Sequence, residues 1–466
     1  MDSLDQQLVI FSWAFVLLMG AALVLPAILG KRDWLTAWNF FLLGSLIFTG
    51  MSGINAAKFT HYMSFSSGTY LRYYLGVIIF YGVIFLVYFK FRWPRRFAGA
   101  HFLKWPPLSG ISLFTLISLL TLFSLFRFFL PNIQFVGQLI AQLGLQAPFV
   151  AATIAFVAWY RDRTNPIFLA ILIGTLLLAL FFGIIAGSGR RYLINGLLVP
   201  IICLYWLNLR YRPNFYNATA LLCLLAITGP LYLSYNALRH VHFRAGVGSE
   251  NRTSEIIRSL PSMLAFDKLL SPHQLDSFMG QDSVECALAT IEMLNDGSER
   301  LQVKPLYTLY WIAVNPIPRA LWGEKPESLG YFLVYRIGLK GTTMTVGVNV
   351  VGQGYYDGGI PVLILYAFLF GCFLRITDEL LLRQPDNPFL LAFLVGCASQ
   401  ILGWPRGGLD IMTMQIISPA VLVFITACVG RLLFGNGYVA PHTATVDRFP
   451  DRKSIGEWRR SQFLSQ

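Results

Sequence analysis

The chain has 466 residues, 56% of them hydrophobic and 13% charged, with a formal net charge of +13 and a mean hydropathy of +0.59. Soluble domains carry about 25% charged residues, so the composition excludes an ordinary soluble protein. In a membrane chain Lys and Arg report loop orientation, and no nucleic-acid partner is expected.

Apolar runs recur at residues 8–29, 35–53, 71–89, 109–130, 148–160, 167–186, 192–208, 215–236, 360–376, 388–403 and 411–430. Most are close to the ~20 residues a helix needs to cross a bilayer, and in lipid such runs must be helical to satisfy their backbone. The expected fold is therefore an all-α polytopic transmembrane bundle of about eleven spans. The first run is too long for a signal-peptide core and has no basic segment before it, so it reads as a true span. The fifth run is short; it begins at 148 or earlier, within 135–145. The chain divides into residues 1–235 with spans one to eight, a large polar loop at 236–359, residues 360–430 with spans nine to eleven, and a polar tail at 431–466. The six cysteines form neither a disulfide framework nor a metal-ligand spacing.

Alternate loops separate by charge. One set holds Lys31 and Arg32; Lys90, Arg92, Arg95, Arg96 and Lys104; Arg161 and Arg163; Arg210 and Arg212; Arg375 and Arg383; and the basic tail. The positive-inside rule places this set in the cytoplasm. The N-terminus and the large loop then lie on the opposite, trans side, and the C-terminal tail lies inside.

Against that bias, "AGSGRRYL" at 186–193 puts Arg190 and Arg191 on the trans side, and "GWPRGGLD" at 403–410 puts Arg406 there with Asp410 close by. A lone trans arginine can simply snorkel to headgroups. Glycine-flanked arginines at a helix start also suit an anion, because guanidinium binds phosphate through paired donors.

The large loop has internal order. "DSVE" at 282–285 reads as a capping box, followed by helical spacing through Val284, Ala287, Leu288, Ile291 and Leu294 and a stop at 295–297. A second amphipathic helix is expected near 254–270. "YTLYWIAVNPIPRALWGEKPESLG" at 307–330 runs an aromatic stretch into two prolines that stop a helix. It carries Arg319, Trp322, Glu324 and Lys325, with Trp322 suited to headgroup depth. Arg336 follows, and then a glycine-rich return at 341–359 with Asp357.

Together these features resemble the bacterial oligosaccharide repeat-unit polymerases, the Wzy-type polymerases of O-antigen and enterobacterial common antigen. The resemblance is carried by "GSGRRYL" between two spans, by "NPIPRALWGEKPESLG" with its arginine and a glycine eleven residues on (Arg319 to Gly330), by "GVNVVGQGYYDGGIPVLILYAFLFG" leading into the next span, and by "PRGGLD". It covers about residues 174–429; the early spans add only hydropathy. No glycine follows Arg190 or Arg191 at the matching distance, so a paired two-loop version of the motif is not supported.

The resemblance implies a membrane glycosyltransferase of GT-C-like architecture in the bacterial inner membrane, with the large loop periplasmic. Its donor and acceptor would be oligosaccharides linked to undecaprenyl diphosphate, and a chain-length regulator and a flippase would be further partners. An activated lipid-linked donor needs no nucleotide site, and neither cofactor nor metal is expected. Positive groups must meet the leaving diphosphate. Arg190, Arg191, Arg319 and Arg406 are assigned that role, with Lys325, Arg336, Trp322, Glu324, Asp357 and Asp410 as substrate-binding candidates. The general base is open among His242, Glu324 and Asp357, with His242 preferred because histidine is the commonest such base. An O-antigen ligase, a flippase of lipid-linked sugars and a structural subunit of an assembly system are the competing readings.

Overall fold

A computed structural model describes residues 3–59, 65–98, 110–126, 137–185, 190–213, 215–220, 223, 283–295, 301–317, 321–336 and 346–434. All regular structure among them is helical. In chain order the helices are α1 (Ser3–Ile28), α2 (Ala37–Ser45), α3 (Ser52–Phe59), α4 (Ser67–Lys90), α5 (Trp93–Ala98), α6 (Gly110–Phe126), α7 (Gly137–Arg161), α8 (Pro166–Ile185) and α9 (Arg190–Leu207). Then follow α10 (Ser283–Asn295), α11 (Tyr307–Val314), α12 (Leu329–Arg336), α13 (Asn349–Tyr356), α14 (Ile360–Arg383), α15 (Pro388–Gly403) and α16 (Leu409–Phe434).

Nine helical runs among the described residues are long and apolar enough to cross a membrane. The chain is a multi-pass membrane protein by helix length and hydropathy. One of the nine, Ala37–Ala57, joins α2 to α3 through a π-helical segment, Leu46–Met51. The expected fourth span is α6, whose 17 residues make it a shorter apolar helix. Most of the expected eighth span (215–236) lies outside the described residues, as do the helix expected near 254–270 and Asp282 of the capping box.

Two boundaries differ from the sequence expectation. The fifth span does not begin at Pro148: α7 starts at Gly137 and carries Pro148 inside it. Residues 143–158 are buried without a break, packed between α6, α8, α9, α15 and α16. That packing holds the turn around the proline, whose lost hydrogen bond is tolerated in a membrane helix. The ninth span does not end at 376 but runs to Arg383. Its last turns carry charge because the charges are satisfied there. Arg375 pairs with Glu379 one turn on, and Arg95 reaches Glu379 at 3.2 Å. Asp378 accepts from the backbone N–H of Ala37 at 2.7 Å and of Trp38 at 3.3 Å, and from the Tyr88 hydroxyl at 2.6 Å. It thus supplies, from a distant helix, the acceptors that the start of α2 needs. Arg210 pairs with Asp33 at 3.0 Å at the same end of the bundle.

The opposite end is covered by the short helices α10 to α13. α10 packs on α3, α4 and α13; α11 packs on α16; α13 also packs on α14. Leu301, Leu329, Leu333, Val348 and Tyr356 form a small apolar core of this lid, separate from the main core. The π segment helps to dock it. A π turn leaves carbonyls outside the regular ladder, and the Phe48 carbonyl accepts from Ser283 Oγ at 2.5 Å and from Asn349 Nδ2 at 3.3 Å.

Candidate functional site at the lidded end

Arg191 sits in the first turn of α9, at the lidded end. Its Nη1 donates to Gln400 Oε1 on α15 at 3.0 Å and to Gln415 Oε1 on α16 at 2.8 Å. Both acceptors are neutral carboxamides, so these bonds orient the guanidinium without cancelling its charge. Arg190 opens the same helix, and its side chain is outside the described set.

Three residues beyond Gln400 α15 ends, and a 3-10 turn, Trp404–Arg406, carries the chain on to Arg406. Six residues of helix rise about 9 Å, so α15 and the turn that continues it present the Arg191 acceptor and Arg406 toward the same end. Gly407 and Gly408 then turn the chain with φ of +90° and +74°. A Cβ on Gly407 would stand 2.5 Å from the Asn349 amide nitrogen, so the turn needs glycine for its φ and for its closeness to the lid.

The lid is latched to this turn by Gln353 of α13, which is fully buried. Gln353 Oε1 accepts from the backbone N–H of Gly408 at 2.9 Å and of Leu409 at 2.8 Å, at the start of α16. Its Nε2 donates to Thr308 Oγ1 at 2.8 Å. The Thr308 N–H donates to Asp357 Oδ1 at 3.3 Å, and the Tyr366 hydroxyl donates to Asp357 Oδ2. Burial raises the Asp357 carboxyl to about 6, against which the Thr308 and Tyr366 hydrogen bonds act. Asp357 therefore binds α11 and α13 to α14, with both oxygens engaged. Asp410, 1% exposed, accepts from the Leu329 N–H at 3.3 Å at the start of α12 and from the Ile411 N–H at 2.8 Å.

Lys325 is also buried, at 5% exposure. Its Nζ donates to the carbonyls of Asn315 and, at 2.9 Å, Ile317. An ammonium on carbonyls just past a helix C-terminus satisfies orphan acceptors and complements the dipole. Lys325 thereby fixes the turn after α11. Trp311 Nε1 donates to the Pro326 carbonyl at 3.1 Å, holding the same loop from the other side. Trp322 is partly buried and Glu324 exposed. Arg319 and His242 lie outside the described residues, and the side chain of Arg336 is outside the described set.

The structure thus gathers Arg191, Arg406, Asp410, Asp357 and Lys325 at one end of the bundle. Sequence reasoning passed over the polar groups that position them: Gln353, Thr308, Gln400 and Gln415. A carboxamide inside an apolar span is costly in lipid, and that cost was the available signal. No group of three or more His, Cys, Asp or Glu side chains suited to a metal ion occurs among the described residues.

The fold and this end define a polytopic helical membrane protein with a cationic, lidded face. No family model, no curated protein and no solved structure matches the chain.

Proposed function

We propose that the chain is an inner-membrane glycosyltransferase that moves a growing undecaprenyl-diphosphate-linked glycan onto a new lipid-linked repeat unit at the periplasmic face. The observation that carries this reading is the placing of Arg191 and Arg406 at the same, lidded end of the bundle. They are more than 200 residues apart in sequence, and α15 with the 3-10 turn after it links them. The Wzy-type resemblance assigns phosphate contact to those same turns.

In the transfer, the acceptor hydroxyl oxygen bonds to the donor's anomeric carbon. The bond from that carbon to the phosphate oxygen breaks, the hydroxyl proton passes to a base, and the carrier-lipid diphosphate leaves. Charge develops on the leaving oxygen, where preorganised guanidinium groups act most strongly. Arg191 and Arg406, with Arg190 and Arg319, meet that charge. His242 and Glu324 are the candidates for the base. Asp357 and Lys325, whose polar atoms bind the lid together, are positioning residues.

Transport is the weaker reading. In the nine described spans every Asp, Glu, Lys and Arg lies within about two turns of a helix end. Transporters commonly place such groups near the midplane.

Complementation of a strain lacking this gene with Arg191→Ala and Arg406→Ala tests the reading, with membrane levels of the protein checked. Glycans collapsing to a single repeat unit at normal protein level support it. A normal ladder from both variants rejects it. A full ladder stranded on the carrier lipid indicates a ligase, and lipid-linked units accumulating inside indicate a flippase.

A further inference from the structure

Five of the fourteen buried polar atoms without a hydrogen-bond partner among the described residues lie on three adjoining helices, α7, α9 and α15, in a seam below Arg191. Gln146 on α7 is 1% exposed, and neither its Nε2 nor its Oε1 has a hydrogen-bond partner. Asn195, one turn below Arg191 on α9, is fully buried; its Nδ2 donates to the Gly396 carbonyl at 3.1 Å while its Oδ1 has no partner. Ser399 Oγ and Gln400 Nε2, on α15, are buried and unpartnered as well. Gln146 Oε1 lies 3.6 Å from where a Cβ on Gly396 would stand, so Gln146 and Asn195 approach α15 at the same residue. Gln400 is one turn further along and hands its Oε1 to Arg191.

Buried polar groups are nearly always satisfied, and an orphan is destabilising. Leucine or methionine would fill the same space without that cost. The atoms therefore read as one half of a set of hydrogen bonds whose other half arrives with a ligand. Their chemistry limits what it is. Along the seam the three helices carry no Asp, Glu, Lys or Arg side chain. It offers unused donors from Gln146 and Gln400, unused acceptors from Gln146 and Asn195, and a hydroxyl that can do either. An anion would leave the acceptors opposed, and a cation would leave the donors opposed. A neutral group carrying several hydroxyls satisfies both kinds at once, and Arg191 at the mouth suits a phosphate attached to it.

We propose that this seam is the subsite for a sugar ring of the lipid-linked substrate, the one next to the phosphate that Arg191 meets. The assignment rests on the transferase reading above. The five orphan atoms have no water-accessible surface in this structure, so the seam is closed, and α9 must part from α15 to admit the ring.

The test uses Gln146→Leu and Ser399→Ala in the full-length protein, beside Arg191→Ala. Each is purified for a thermal melt and scored for elongation of membrane-extracted lipid-linked repeat units at limiting and at saturating substrate. Removing an orphan polar atom should leave Tm unchanged or raise it, by about 2–4 °C. Elongation at limiting substrate should fall about tenfold, the equivalent of one lost hydrogen bond, and recover at saturation. Wild-type elongation in both variants overturns the subsite while the transferase reading stands on the Arg191→Ala defect. A lowered Tm together with slower elongation in both variants shows that the seam is packing and also overturns it. Normal elongation by Arg191→Ala removes the transferase reading and the subsite together.

Discussion

Asp357 carries a pH signature of its own. Its folded value of about 6 lies above the unfolded value of 3.8, so its contribution is fully present below pH 4 and is lost as pH rises through 6. A difference of about two units corresponds to about 3 kcal/mol. Asp357→Asn cannot ionise and loses this dependence. The Tm of the wild type minus that of Asp357→Asn should be larger at pH 4.5 than at pH 7.5. A difference that does not change with pH would show that the carboxyl is not held in a desolvated site. Gly407 makes a second residue-scale case. Gly407→Ala forces a side chain into φ +90° and against the Asn349 amide. It should lower stability by more than the ~1 kcal/mol usual for a point change, read as an early melt in detergent. Both residues stand in motifs visible in the sequence, but Thr308 lies 49 positions from Asp357 and Asn349 lies 58 from Gly407, and only Tyr366, nine positions beyond Asp357, is local.

At the scale of elements, the spans were readable because long apolar runs have one solution in lipid. The helix stop after Val314 was readable from its prolines. The return through 341–359 looked like a glycine-rich loop, yet its second half is the helix α13. Gly352 there allows a close approach to α10, where a Cβ would stand 2.8 Å from Ala287 Cα. Such glycines serve helix packing, and composition alone does not separate the two uses. In sequence the charged end of α14 looks like loop, because Asp378 and Glu379 are costly in a span until Tyr88, Arg95 and the start of α2 are brought beside them. Lys325 was assigned to substrate, and its Nζ is spent on the turn after α11. Lys325→Met keeps the packing and removes those hydrogen bonds, costing about 1–3 kcal/mol. Hydrogen exchange should rise across 307–317 and stay unchanged in α7 and α15. Unchanged exchange in the lid would contradict the clamp.

At the scale of the molecule, the two ends differ in kind. One carries ion pairs on Asp33 and Glu379 beside Asp378, which accepts from the start of α2 and from Tyr88. The other is a lid over an end where Arg191 is oriented by the carboxamides of Gln400 and Gln415 and Arg406 stands nearby. The charge bias of the loops assigns the first to the cytoplasm, and a labelling experiment tests it. With the native cysteines replaced, Gly68→Cys at the start of α4 should react with a membrane-impermeant maleimide in spheroplasts. Thr164→Cys, between α7 and α8, should react only after permeabilisation. The reverse pattern would place the lid inside the cell. The central claim, that the lidded end performs glycosyl transfer, is tested most directly with purified protein in liposomes. The vesicles would carry lipid-linked repeat units extracted from the host membrane and no other protein. The account predicts longer lipid-linked glycans, released carrier diphosphate in equal number to the bonds formed, and neither product with Arg191→Ala. Folded wild-type protein that lengthens no glycan and releases no carrier would contradict it.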